Sequence, residues 1–116
     1  LFIGGLIDEL SYACAGPLTE LVLEHLKADK AIVGADGFDP KDGISIERMP
    51  EASVTRKMIA LADQTIVVGD SSKMNTRGFM RVCTWNKVDV FITDHIDPKD
   101  KESIERFHVH IPDLKS

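Results

Sequence analysis

The densest chemistry in the chain lies at 67–73, VVGDSSK, where an apolar run gives way to a carboxylate, two hydroxyls and an ammonium: Asp70, Ser71, Ser72 and Lys73. The ending recurs. GAD closes on Asp36 and ITD on Asp94. A carboxylate accepts hydrogen bonds from several hydroxyls at once, which suits a polyol or sugar. A lysine just past such an aspartate is a point charge that can reach back for phosphate. Ser71 and Ser72 add hydroxyl donors, and the turn that carries them can expose backbone N–H groups. Gly34 and Gly37 flank Asp36, and glycine lets a ligand or another backbone approach closely. Each aspartate also has a plainer use, because Asp often caps the turn after a strand. Three such endings in one chain favour a shared site over three separate caps.

For these residues to meet, the runs that end on them must be parallel strands. AIVGA (31–35), TIVVG (65–69) and VDVFIT (88–93) are short and rich in Val and Ile. The first two lack clear alternation, which predicts strands buried on both faces of a parallel sheet. LFIG at the start reads as a fourth strand and FHVHI (107–111) as an edge strand. Between them lie helical patterns. Leu18, Leu21, Val22 and Leu26 make one apolar stripe behind Pro17, which suits a first helical turn. Val54, Met58, Leu61 and Ala62 make another, behind Pro50 and Glu51. A weaker helix spans about 98–106, opened by Asp97 and Pro98. The alternation gives an α/β domain, a mostly parallel sheet flanked by helices. Such sheets bind ligands outside the carboxyl ends of their strands, where Asp36, Asp70 and Asp94 would ring one crevice. The stretch 37–50 is long for a connection, and is either a functional loop or a small β-excursion through Ile44 and Ile46.

Other residues carry less. His108 and His110 alternate on one strand but lack a third metal ligand nearby. His25 falls on a helical stripe and reads as a core histidine, while His95 follows a strand end and is a weaker crevice candidate. Cys83 and Trp85 read as packing residues. Cys14 and Cys83 are expected to be reduced, with one disulfide as the alternative. No GxGxxG, P-loop or CxxC is present, so no cofactor is expected. The net charge of -5 and the dispersed Lys and Arg argue against nucleic-acid binding by this chain itself. No apolar run approaches the ~18 residues of a membrane span, and LFIGGLIDEL lacks the basic start of a signal peptide, so a cytoplasmic setting is expected.

Taken in order, ADKAIVGADGFDPKDGIS, EASVTRKMIALAD, VVGDSSK, Phe79 and VFITD resemble the C-terminal effector-binding domain of DeoR-type bacterial transcription regulators, from about Gly16 to Asp94. LFIGG also fits that family. The resemblance implies a homo-oligomeric sensor of a phosphorylated sugar or related metabolite. DNA would be bound only through a separate N-terminal helix-turn-helix absent from this chain. It also implies that part of the domain lies upstream of Leu1, including a glycine- and Ser/Thr-bearing phosphate loop. The implied ligand residues are Gly34, Asp36, Gly37, Asp70, Ser71, Ser72, Lys73 and Asp94, with ligand binding ordering the loop 37–50. The implied sheet is Rossmann-like, of the type shared by ribose-5-phosphate isomerases and CoA transferases. GADG and DSSK are similar to the isomerases' active-site segments, with Asp36 as base and Lys73 as its cationic partner. A sugar-phosphate isomerase is therefore the alternative, and a purely structural dimerisation domain is the third reading.

Overall fold

A computed structural model describes residues 1–104 and 109–111. Its centre is a four-stranded parallel sheet: β3 (Ala28–Val33), β6 (Ala62–Val68), β8 (Val90–Ile92) and β9 (Val109–His110), in that spatial order. A second, antiparallel sheet holds β4 (Gly37–Asp39), β5 (Gly43–Ile46) and β7 (Met80–Cys83). A small hairpin pairs β1 (Leu6–Ile7) with β2 (Cys14–Ala15). The helices are α1 (Pro17–Leu23), α2 (Met49–Leu61) and α3 (Pro98–Ile104). No helix among the described residues is long and apolar enough to cross a membrane.

The three Val- and Ile-rich runs form strands as expected, and of the run 107–111 the described Val109–His110 form the edge strand β9. α2 matches the signals at its start but ends at Leu61, so Ala62 of the expected stripe opens β6 instead. Pro50 sits in its first turn, Glu51 follows near its positive end, and Val54 is buried. The chain then passes straight from α2 into β6.

The core lies on one side of the parallel sheet. Phe91 is fully buried between Phe38 and Trp85, edge to face with each, at 5.0 and 5.1 Å between ring centroids. The Trp85 indole N–H donates to the Asp39 carbonyl at 2.7 Å, so Trp85 is a packing residue. Ala52 of α2 and Ile104 of α3 join the same cluster.

Several expectations need correction. Residues 1–5 form no strand; Ile3 packs against the cluster of Ala15, Leu23 and Val54, and the Gly4 carbonyl accepts the Thr19 hydroxyl at 2.7 Å. The first strand, β1, joins a hairpin outside the main sheet. α1 ends at Leu23 and buries Thr19 and Leu23, while Leu18, Leu21 and Val22 face out, because its contact is with α2 along the other edge. His25 lies beyond the helix and is exposed, so it is not a core histidine. β3 and β6 do alternate, Ala31, Val33, Thr65 and Val67 being buried while Ile32 and Val68 are exposed. Among the described residues one face is buried, while the other leaves Ile32 and Val68 exposed and Ile66, Val90 and Ile92 half-buried. The segment 37–50 is the β-excursion: Phe38, Ile44 and Ile46 are buried, so it is core and not a loop awaiting a ligand to order it. Its third partner, β7, is not visible in the sequence pattern. Cys14 and Cys83 carry free thiols, and burial pushes the Cys83 thiol up to about 11. His108 of the suggested metal pair lies outside the described residues. Among the described residues no cluster of three or more His, Cys, Asp or Glu side chains could hold a metal.

Candidate functional site

Three parallel strands leave the sheet on one edge, and each passes into a turn carrying an exposed aspartate. After β3, Asp36 donates its N–H to the Ser45 carbonyl at 2.9 Å. Its Oδ2 accepts the Glu47 N–H at 2.7 Å. After β6, Asp70 opens a 3-10 turn, Ser71–Lys73, and its Oδ1 accepts the Ser72 N–H at 2.9 Å and the Ser72 hydroxyl. After β8, Asp94 takes the Ser71 N–H on Oδ1 at 2.6 Å and the Ser71 hydroxyl on Oδ2 at 3.3 Å. Each aspartate therefore orders a neighbouring backbone, as a capping residue would. Lone pairs remain on all three carboxylates for further donors.

The turn after β6 links the other two ends. Gly69 donates its N–H to the Ile92 carbonyl at 3.1 Å, tying it to β8. Towards β3, Asn75 donates its N–H to the Phe38 carbonyl at 2.7 Å. The Thr76 hydroxyl reaches both the Lys73 carbonyl, at 2.7 Å, and the Asp36 carbonyl, at 3.4 Å. Gly37 is needed here for backbone crowding: a Cβ on it would stand 2.4 Å from the Thr76 carbonyl oxygen. Gly34 is different. A Cβ there would meet only the Val68 carbonyl oxygen, at 3.8 Å, so the space above it is open.

The electrostatics follow from these contacts. Ser72's hydroxyl, then its N–H, holds the Asp70 carboxyl below the usual carboxylate range, with Lys73 helping and Asp94 opposing. Ser71's N–H, then its hydroxyl, does the same for Asp94. Lys73 is half-buried, and its ammonium makes no ion pair among the described residues. Two carboxylates and one lysine thus lie together around a single turn system at the surface.

All eight residues singled out from the sequence lie at these strand ends. Gly37 is the one taken up wholly by protein packing. A small cavity of about 130 Å³ adjoins them, bordered by Ser71, Met74, Asn75, His95 and Asp100 among others. His95 is exposed and sits 3.2 Å from Asp97. Larger hollows lie elsewhere, one of about 410 Å³ beside Arg56 and Lys87 and one of about 200 Å³ beside Arg77. Arg77 is already paired with Asp39 and Asp42, and Arg56 with the Arg81 carbonyl. The strand ends differ from these hollows in bringing three carboxylates and Lys73 together around one turn.

Sequence reasoning missed three supports of this edge: the Glu47 N–H, Thr76, and the pair Asn75–Asp100. Asn75 sits at φ 59, and its side-chain amide donates to buried Asp100 at 2.9 Å. An asparagine shortly after a strand-end turn is a signal for a left-handed position, though not for its partner.

Residues 1–95 match the family described as the DeoR C terminal sensor domain. The chain belongs to that family. The DeoR-type sensor domain is 36% identical over 103 residues to the HTH-type transcriptional regulator YulB of Bacillus subtilis, covering 88% of this chain and 40% of that protein. It is 29% identical over 111 residues to the HTH-type transcriptional regulator GlpR of Haloferax volcanii, covering 95% and 44%. It is 29% identical over 107 residues to the lactose phosphotransferase system repressor of Staphylococcus epidermidis, covering 90% and 41%. This sensor domain thus spans about two fifths of the length of the curated relatives it matches. The resemblance read from GADG, VVGDSSK and VFITD is borne out as family membership.

Proposed function

We propose that this sensor domain binds a phosphorylated sugar or a related metabolite across the carboxyl ends of β3, β6 and β8. The parent protein would be a homo-oligomeric, cytoplasmic transcription regulator whose DNA contact is made by a separate N-terminal helix-turn-helix. Asp36, Asp70 and Asp94 would accept ligand hydroxyls. Lys73, with Ser71 and Ser72, would attract the phosphate. The open space above Gly34 would admit the ligand against the backbone. The observation that carries this reading is the turn 69–76, which links three carboxylate-bearing strand ends and brings Lys73, without an ion pair among the described residues, beside Asp70. The sugar in the name of the staphylococcal relative adds support for a carbohydrate effector. A parallel sheet flanked by helices is compatible with the Rossmann-like, isomerase-type fold that the resemblance implies. With β4 and β5 already packed, the effector would act by differential affinity for two arrangements of the assembly and not by ordering 37–50.

The test is thermal unfolding of the parent protein against sugar phosphates and the matching free sugars. A ligand at about 100 times its dissociation constant adds roughly 2.7 kcal/mol. Stabilisation by one phosphorylated sugar and not by its free form is the expected result. No shift across the panel would defeat the proposal, and conversion of the ligand in the same mixture would replace sensing by isomerase activity.

A further inference from the structure

The hollow of about 410 Å³ lies at the opposite end of the sheet from Asp36, Asp70 and Asp94. It borders Ala62 and Asp63, which open β6, and Asp89, which stands just before β8. β6 runs from it to the Asp70 turn through seven residues, roughly 20 Å at about 3.3 Å each. The two places are therefore separate. Three further elements wall the hollow. Arg56, Ile59 and Ala60 come from the last turns of α2, and Val82 and Cys83 from the end of β7. Asn86 and Lys87 come from the 3-10 turn Trp85–Lys87, which carries the chain on towards β8. Its volume falls within the ~300–1,000 Å³ usual for small-molecule sites, unlike the cavities of about 130 and 200 Å³ beside Ser71 and Arg77.

The wall is mixed. Val82 is buried and Ile59 half-buried, an apolar floor beside Ala60. Four charged side chains border the same space: Arg56, Asp63, Lys87 and Asp89. Asp89 has a structural task. Its Oδ2 accepts the Thr65 N–H at 2.7 Å and its own N–H donates to the Thr65 carbonyl at 2.9 Å, which clips the start of β8 to β6. The other three are exposed and form no ion pair among the described residues. Arg56 donates to the Arg81 carbonyl, a neutral acceptor, which occupies one part of a five-donor fork and leaves its charge unmatched. The Lys87 charge is felt at the Cys83 thiol, where it opposes the effect of burial, so it stands near that wall of the hollow. Two cations and the Asp63 carboxylate thus face one space without closing on each other. A molecule carrying both an acid group and a hydrogen-bond donor would satisfy both signs.

We propose that this hollow is a second ligand site, for a small organic anion that also carries a hydroxyl or amino donor. Its carboxylate or phosphate would lie between Arg56 and Lys87, the planar guanidinium taking two oxygens at once. Its donor would reach Asp63, and Asn86 offers an amide beside them. Its carbon body would lie on Ile59, Ala60 and Val82. The strand ends have the opposite balance, three carboxylates to one lysine, so the two places differ in what they select. The inference goes beyond the effector reading and does not rest on it.

The experiment is titration calorimetry on the full-length protein with malate, glycerol 3-phosphate and inorganic phosphate, and with glycerol as the uncharged control. It is repeated on Arg56→Gln, Lys87→Gln, Ala60→Phe and Lys73→Ala. Ala60→Phe fills the hollow and leaves every charge in place, and Ala60 is exposed on α2, so the fold tolerates it. The expected result is that malate or glycerol 3-phosphate binds and glycerol does not. Its Kd should rise roughly 10-fold or more in Arg56→Gln, Lys87→Gln and Ala60→Phe, the scale of a lost charged hydrogen bond, and stay within about twofold in Lys73→Ala. Inorganic phosphate, without a carbon body, should bind more weakly. No binding by either organic anion would overturn the proposal. So would binding that Lys73→Ala abolishes and Ala60→Phe leaves intact, which would place the anion at the strand ends. Inorganic phosphate binding as tightly as the organic anions, untouched by Ala60→Phe, would reduce the hollow to a patch of surface charge.

Discussion

Ser71 donates its backbone N–H to Oδ1 of Asp94 at 2.6 Å and so fastens the turn leaving β6 onto the end of β8. The contact is charge-assisted, and it is strongest while Asp94 is ionised. Asp70 plays the same part towards Ser72 within the turn.

Both carboxyls are held below their usual value of 3.8, so the sign of the pH effect is set. Their contribution to stability is complete above the unfolded value and is lost as pH falls through the lower folded values. Urea midpoints measured from about pH 5 down to about pH 2.5 should therefore fall less steeply in Asp94→Asn than in the parent chain. Equal slopes would show that the Ser71–Asp94 contact is not linked to folding.

The two glycines flanking Asp36 should separate cleanly. Gly37→Ala drives a Cβ to 2.4 Å from the Thr76 carbonyl oxygen and should cost about 1–3 kcal/mol in denaturant unfolding. Gly34→Ala meets only an ordinary contact and should stay within about 0.5 kcal/mol. Loss of effector binding in Gly34→Ala at unchanged stability would then report ligand approach at that position.

Asn75 combines a left-handed backbone at φ 59 with a side-chain bond to buried Asp100. Asn75→Gly keeps the backbone and loses the bond; Asn75→Ala loses both. Denaturation should rank them parent, Gly, Ala, with Ala about 1–2 kcal/mol below Gly. An Ala variant as stable as the Gly variant would mean that the turn relaxes without strain.

Lys73→Ala should weaken a phosphorylated effector roughly 10-fold or more, the scale of a lost charged hydrogen bond, and its unphosphorylated analogue far less. Titration calorimetry with both ligands measures this. Equal weakening would remove the phosphate role from Lys73.

Much of this edge was legible in the residues. The runs ending in Asp36, Asp70 and Asp94 are strands because Val and Ile fill them, and Pro50 with Glu51 marks the start of α2. The failures have a common cause. Leu18, Leu21 and Val22, like Leu1 and Phe2, are apolar yet exposed, because apolarity reports that a side chain gains by burial and not what will bury it. β7 was missed because MRVC is short and draws its stability from β5, 34 or more residues away in sequence at each paired position.

The sequence by itself determined the local facts: where the main strands and helices lie, three aspartates at strand ends, a lysine beside one of them, and the family. Tertiary structure alone decided that Asp36 takes the Glu47 N–H, that Gly37 makes room for Thr76, and that Ile32 and Val68 stand exposed on one face of the sheet. Periodicity is a property of neighbouring residues, whereas the partner of a loop carboxylate, or the cover of a sheet face, depends on the path the chain takes between distant positions.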